Sequence, residues 1–120
     1  HSQLWDTVST GIGDFIDDLR EHNQSDNTAT LIFSEFGRRI KDNGSGTDHG
    51  SGGVALLIGD SVKGGLYGDY PSLDEKYQLN GDLHANNDFR SLYTNILEDW
   101  IGVDPIDIVN GTFEKFDVFR

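Results

Sequence analysis

Apolar residues recur at Leu4, Val8, Ile12, Phe15, Ile16 and Leu19. That spacing of three and four predicts an amphipathic helix over residues 3–21. Asp14, Asp17, Asp18 and Arg20 fall on its other face. Gly11 and Gly13 each weaken such a helix by about 1 kcal/mol relative to Ala, so packing must hold it. The polar run from His22 to Asn27 reads as a turn. Thr28 to Phe33 is a short β-branched and apolar run, predicted to be a buried strand. Val54 to Ile58 is a second one, stopped by Gly59-Asp60. Gly64 to Gly68 reads as a short hairpin or extended edge, and Tyr70 to Leu79 as an irregular loop.

A second helix is predicted over Asp88–Ile101. Phe89, Leu92, Tyr93, Ile96, Leu97 and Trp100 form its apolar face. Asp88 suits the N-cap, Gly102 the C-cap, and Pro105 blocks continuation. The tail from Gly111 alternates Phe113, Phe116, Val118 and Phe119 with charges, as a final strand or a strap over the core. A helix followed by a strand is the logic of an α/β layered sheet. A parallel sheet buries both faces, and two strands cannot flank themselves. The pattern therefore predicts a single partial domain over residues 1–120, completed by another polypeptide or by a missing N-terminal part.

Composition narrows the function. The 120 residues carry 21 acidic and 9 basic side chains, a net charge of −12. That surface argues against nucleic acid and anionic membranes as partners. There is no cysteine, hence no disulfide, thiolate metal site or thiol nucleophile. No apolar run is long enough to span a membrane. The first residue is His1, directly before a helical pattern, so the sequence reads as a piece of a longer or processed protein and is silent on export.

The chemistry concentrates in Thr30–Gly53. An apolar strand gives way to Ser34, Glu35, Arg38, Arg39 and Lys41, then to a glycine-rich loop carrying Asp48 and His49. Carboxylate, guanidinium and imidazole at the end of a buried strand are a frequent α/β active-site layout. His49 is either a divalent-metal ligand among glycines that admit close approach, or a surface loop His. Glu35 is either a strand-end ligand or base, or the ion-pair partner of Arg38 or Arg39. The two arginines either orient an anionic ester or pair with the chain's own acids. His22 and His84 are assigned to polar turns. Ser34, Thr47 and Ser51 lack a His and acid at triad spacing. Asp42, Asn43 and Asp48 resemble a calcium loop without matching the EF-hand spacing.

Three blocks in order, SEFGRRIKDNGSGTDHGSGG, VKGGLYGDYPSL and DFRSLYTNILEDWIG, resemble secreted bacterial proteins of the family called domain of unknown function fifteen-hundred-and-one, within the alkaline phosphatase and sulfatase superfamily. The resemblance spans nearly all of residues 1–102. It implies the C-terminal part of an α/β/α sandwich with a two-metal site and a catalytic nucleophile upstream of His1. It also implies export, to the periplasm or beyond. Paired metals there would stabilise the attacking and leaving oxygens of a phosphoryl or sulfuryl transfer.

By that likeness His1, Glu35 and His49, with Asp48 beside it, are the metal ligands. Zinc is the foremost candidate, with calcium or magnesium as alternatives, and Arg38 meets the substrate anion. His49 is matched to the loop His before the next strand, because a glycine loop precedes it. Phe36 stands where the superfamily places a metal-binding His, which leaves one metal site short of a ligand. Two functions follow as expectations. One is metal-dependent phosphatase- or sulfatase-type hydrolysis of an anionic small-molecule or polysaccharide ester. The other is a non-catalytic secreted binding or structural module on the same scaffold.

Overall fold

A computed structural model describes residues 1–120. The first helix, α1, spans Ser2–Glu21, as its apolar spacing predicts. Strand β1 covers Thr30–Ile32, and β4 covers Leu56–Ile58. Both predicted strands form, with narrower limits. They pair antiparallel, Thr30 opposite Ile58 and Ile32 opposite Leu56. This corrects the expected parallel arrangement: no helix crosses between them, and the chain returns directly through an antiparallel excursion. The result is a mixed α/β architecture.

The excursion is the main departure from the sequence pattern. The stretch read as a glycine loop is a hairpin of β2, Gly37–Asp42, and β3, Thr47–Gly50. Gly37 lies opposite Gly50, Arg38 opposite His49, and Asp42 opposite Thr47, with an irregularity between Arg38 and Asp42. At its base Arg38 N donates to Gly52 O at 2.6 Å. A Cβ on Gly37 would collide with the Gly52 backbone, so this approach requires glycine.

The second helix, α2, runs over Phe89–Asn95 and continues as a π-helical turn over Ile96–Ile101. Asp88 caps it by accepting from Arg90 N, and Gly102 ends it at φ 81°, both as predicted. A short helix, α3, follows at Ile106–Val109. Gly64–Gly68 forms neither strand nor hairpin. The tail is a strap: Lys63 N donates to Val118 O, Arg120 N donates to Ser61 O, and Phe119 stacks on Trp100 at 5.3 Å.

Leu56 and Ile58, two apart on β4, line a space shared with α1. Leu31 and Leu57 are paired and face the other way. Phe33 continues the parity of Leu31 and meets Tyr93 of α2 edge-on at 6.1 Å. The first helix thus shares a space with the Leu56 and Ile58 side of the pair, and α2 meets the chain just past β1 through Tyr93.

Little of this is closed. The buried residues are Ser91, Thr94, Asn95, Val109 and Val118, none of them in α1 or a strand. The chain exposes 8835 Å², where a folded monomer of its size exposes about 6,500 Å². Its radius of gyration is 16.6 Å, against about 14 Å for a compact domain of this length.

Candidate functional site on the β2–β3 hairpin

The hairpin fixes where each candidate side chain points. Residues directly opposite in an antiparallel pair share a face, as do residues two apart on one strand. Arg38 and His49 are opposite each other, and Thr47 lies two positions before His49. These three belong to one face; Asp48 leaves from the other. Phe36, just before β2, stacks on the His49 imidazole with ring centroids 3.6 Å apart and planes 23° apart. The Arg38 guanidinium lies 5.7 Å from the Phe36 ring centroid. Nη1 of Arg38 donates to Thr47 O at 2.9 Å, which holds the side chain along the hairpin. Thr47 Oγ1 is buried without a hydrogen-bond partner.

His49 therefore sits in a strand rather than in the loop expected for it. The glycine-rich composition that pointed to a loop instead serves the turn and the close approach at the base. The turn is held by Asn43 N on Gly46 O at 2.8 Å and Asn43 Nδ2 on Asp48 Oδ1 at 2.8 Å. Asp48 is thereby part of the turn's own bonding. His1 comes to the same turn: a Cβ on Gly46 would stand 2.9 Å from His1 Nε2. Glu35 accepts from Ser34 Oγ at 3.2 Å and is exposed.

The structure thus brings Phe36, Arg38, Thr47 and His49 together and places His1 at the hairpin tip. No three His, Asp or Glu side chains converge as a metal-holding group. Asp48 and His49, being consecutive in a strand, cannot both turn to one ion on one face.

The arginines have a different fate from the one charge counting favours. Ion pairs within 4.0 Å form at Arg20, Lys63, Lys76, Arg90 and Lys115. Neither Arg38 nor Arg39 has one, in a chain with 21 acids. Arg39 donates to the Asn80 carbonyl, which fastens the hairpin to a neighbouring turn. Arg38 keeps most of its five N–H donors unused.

One structural carboxylate at the hairpin is not marked by the sequence pattern. Asp82 accepts from Ser51 N at 3.0 Å, Ser51 Oγ at 3.1 Å and Leu83 N at 2.8 Å. Hydrogen bonding led by the Ser51 amide holds its carboxyl below the usual range. It locks the hairpin base. The signal was present as Asn80-Gly81, a two-residue turn dipeptide. Both residues have positive φ, and Leu79 and Asp82 bridge across them.

The architecture and the hairpin face define a mixed α/β chain that presents guanidinium, imidazole and an aromatic ring on an open sheet surface. The chain belongs to the family described as "Protein of unknown function (DUF1501)", whose model matches residues 1–108. No curated protein and no solved structure matches it.

Proposed function

We propose that this chain is the C-terminal portion of a larger alkaline phosphatase-like domain and forms the anion-facing wall of a phosphatase- or sulfatase-type ester hydrolase. One observation carries the reading. In a chain of net charge −12, Arg38 has no carboxylate partner and faces His49 across the hairpin. A planar guanidinium with free donors matches the oxygens of a phosphate or sulfate ester in a bidentate manner. His49 adds one ring nitrogen to the same face, and the Phe36 stack fixes its plane. Ligation of a divalent metal by His1, Glu35, Asp48 or His49 requires further donors from outside residues 1–120. The nucleophile likewise lies elsewhere. The family resemblance supports a secreted or periplasmic location for such an enzyme, with a small-molecule or polysaccharide ester as substrate.

The test is made on the complete gene product. Bound metal is measured by mass spectrometry, and hydrolysis of an aryl phosphate and an aryl sulfate is followed. Arg38→Ala is expected to raise KM at least tenfold, and His49→Ala to lower metal content or kcat. Unchanged values in both variants rule the reading out.

A second reading is favoured by Phe36 on His49. An aromatic ring at 3.6 Å covers one face of the imidazole, and a flat ring beside a guanidinium also suits a sugar. On this reading the scaffold is a non-catalytic binding module. It predicts retention of an anionic polysaccharide, lost in Arg38→Ala, with no ester hydrolysis in any variant.

A further inference from the structure

Three asparagines of the chain precede a glycine, in the pairs Asn43-Gly44, Asn80-Gly81 and Asn110-Gly111. Glycine carries no side chain, so its backbone nitrogen is the least hindered one that can reach a preceding asparagine side chain. The structure treats the three pairs differently. Asn43 Oδ1 accepts from Ser45 N at 3.0 Å, and its Nδ2 donates to Asp48 Oδ1 at 2.8 Å. Gly44 N donates to Asp42 Oδ1 at 2.6 Å. Gly111 N donates to Ile106 O at 3.1 Å, closing the end of α3. In both pairs the glycine nitrogen is already engaged. At Asn80-Gly81 it is not. Both residues are exposed, the Gly81 N–H has no acceptor, and the Asn80 amide has no partner. The hydrogen bonds of this turn are instead the two between Leu79 and Asp82, at 2.9 and 3.0 Å.

We propose that Asn80 is a spontaneous modification site, deamidating in the folded protein ahead of Asn43 and Asn110, and that its isoaspartyl product unlocks the base of the β2–β3 hairpin. The Gly81 nitrogen bonds to Asn80 Cγ and gives up its proton. The Cγ–Nδ2 bond breaks, and Nδ2 leaves with that proton as ammonia. Water then opens the resulting succinimide. Attack at Cγ leaves an ordinary aspartate; attack at the backbone carbonyl leaves isoaspartate. Nothing is oxidised or reduced. Arg39 favours the first step, because its guanidinium donates to the Asn80 carbonyl oxygen. That oxygen belongs to the amide whose nitrogen must lose its proton, and a cation there stabilises the negative charge that collects on it.

The product acts through geometry. Isoaspartate routes the main chain through the former side chain and adds one carbon to a two-residue turn. A turn of that size fixes the register of what flanks it, so the Leu79–Asp82 bonds no longer close together. Asp82 follows the turn directly, and its carboxylate holds Ser51 N at 3.0 Å and Ser51 Oγ at 3.1 Å. The former Asn80 carbonyl becomes a carboxylate beside Arg39, which pairs the guanidinium with a new acid. Ordinary aspartate adds the charge but leaves the turn's length unchanged. The hairpin that carries Arg38 and His49 thus loosens with age, whatever that face binds.

The test warms the complete gene product at mildly alkaline pH and maps its peptides by mass spectrometry over time. The Asn80 peptide is expected to gain about 1 Da at least tenfold faster than the Asn43 and Asn110 peptides. Enzymatic methylation of isoaspartate should label the same peptide. In urea the three rates should converge. Equal rates in the folded protein, or an order that persists in urea, overturn the proposal. The unlocking is read by amide exchange at Ser51 and Gly52, expected to be at least tenfold faster in the isoaspartyl fraction than in fresh protein. Unchanged exchange there overturns it. Asn80→Gly keeps a residue that accepts positive φ and removes the reacting amide. Aged Asn80→Gly protein should exchange as slowly as fresh Asn80→Gly protein, and an equal acceleration with age in that variant also overturns the proposal.

Discussion

The side-chain amide of Asn95 closes a two-bond ring on the backbone of Phe116. Nδ2 donates to the Phe116 carbonyl at 2.6 Å, and the Phe116 N–H donates to Oδ1 at 2.9 Å. Asn95 is fully buried and sits where α2 passes into its π-helical turn. The helix thus holds a strand-like strap through one side chain, with Lys115 on Asp99 at 2.7 Å beside it.

Asn95→Ala leaves both Phe116 backbone groups without that partner. Each buried unsatisfied group costs about 1–3 kcal/mol, so the expected loss is about 3 kcal/mol in total. Urea unfolding followed by Trp100 fluorescence checks it. A loss under about 1 kcal/mol would mean the strap is held by Phe119 and Val118 alone.

Acid should uncap α2 late. Hydrogen bonds from the Arg90 side chain, then from its backbone N–H, lower the Asp88 carboxyl to about 2 from its ordinary 3.8. A depressed carboxyl stabilises the fold fully above its unfolded value, and the contribution fades as pH falls through the folded value. Between pH 3.8 and about 2 the parent chain should therefore lose helix signal in a step that Asp88→Asn lacks. Circular dichroism of the pair against pH isolates this step from the other acids.

Gly11 sits in the interior of α1 with open space where a Cβ would go. Gly11→Ala should stabilise the helix by about 1 kcal/mol, because Ala loses less backbone entropy there. Denaturant midpoints with an unchanged m-value would verify it. A destabilised variant would show that another element already occupies that side.

The hairpin base should open when its carboxylate lock is removed. Asp82→Ala takes three acceptor contacts from Ser51 and Leu83. Amide exchange at Ser51 and Gly52 should accelerate at least tenfold, while exchange in α2 stays unchanged. Uniform acceleration across the chain would instead mean that the hairpin and α2 unfold together.

The helices were legible because their signals are local. Leu4 to Leu19 carries a 3.6-residue period, and Asp88 and Gly102 mark two ends by their own chemistry. The hairpin was not, because its residues carry no alternation: Arg38, Arg39, Ile40 and Lys41 are polar on both faces except at Ile40. What shapes it is long-range, from Asp82 and Asn80 some thirty to forty residues away. Strand direction was equally hidden, since Thr30–Ile32 and Leu56–Ile58 are β-branched or apolar throughout, without alternation, and three residues long. Of the site, the residue types at Arg38 and His49 were visible in the sequence. Their facing positions followed only from register, and Asp48 was separated from His49 by the same register.

The two buried apolar side chains, Val109 and Val118, both lie beyond residue 108, where the family pattern stops. A polypeptide cut at that limit would keep every recognisable motif and lose both of its anchors. Asn95 would then lose both bonds to Phe116 and keep only Asp99 as a partner. The family pattern is therefore the wrong ruler for choosing where to trim this chain, and the last twelve residues belong in any version meant to fold.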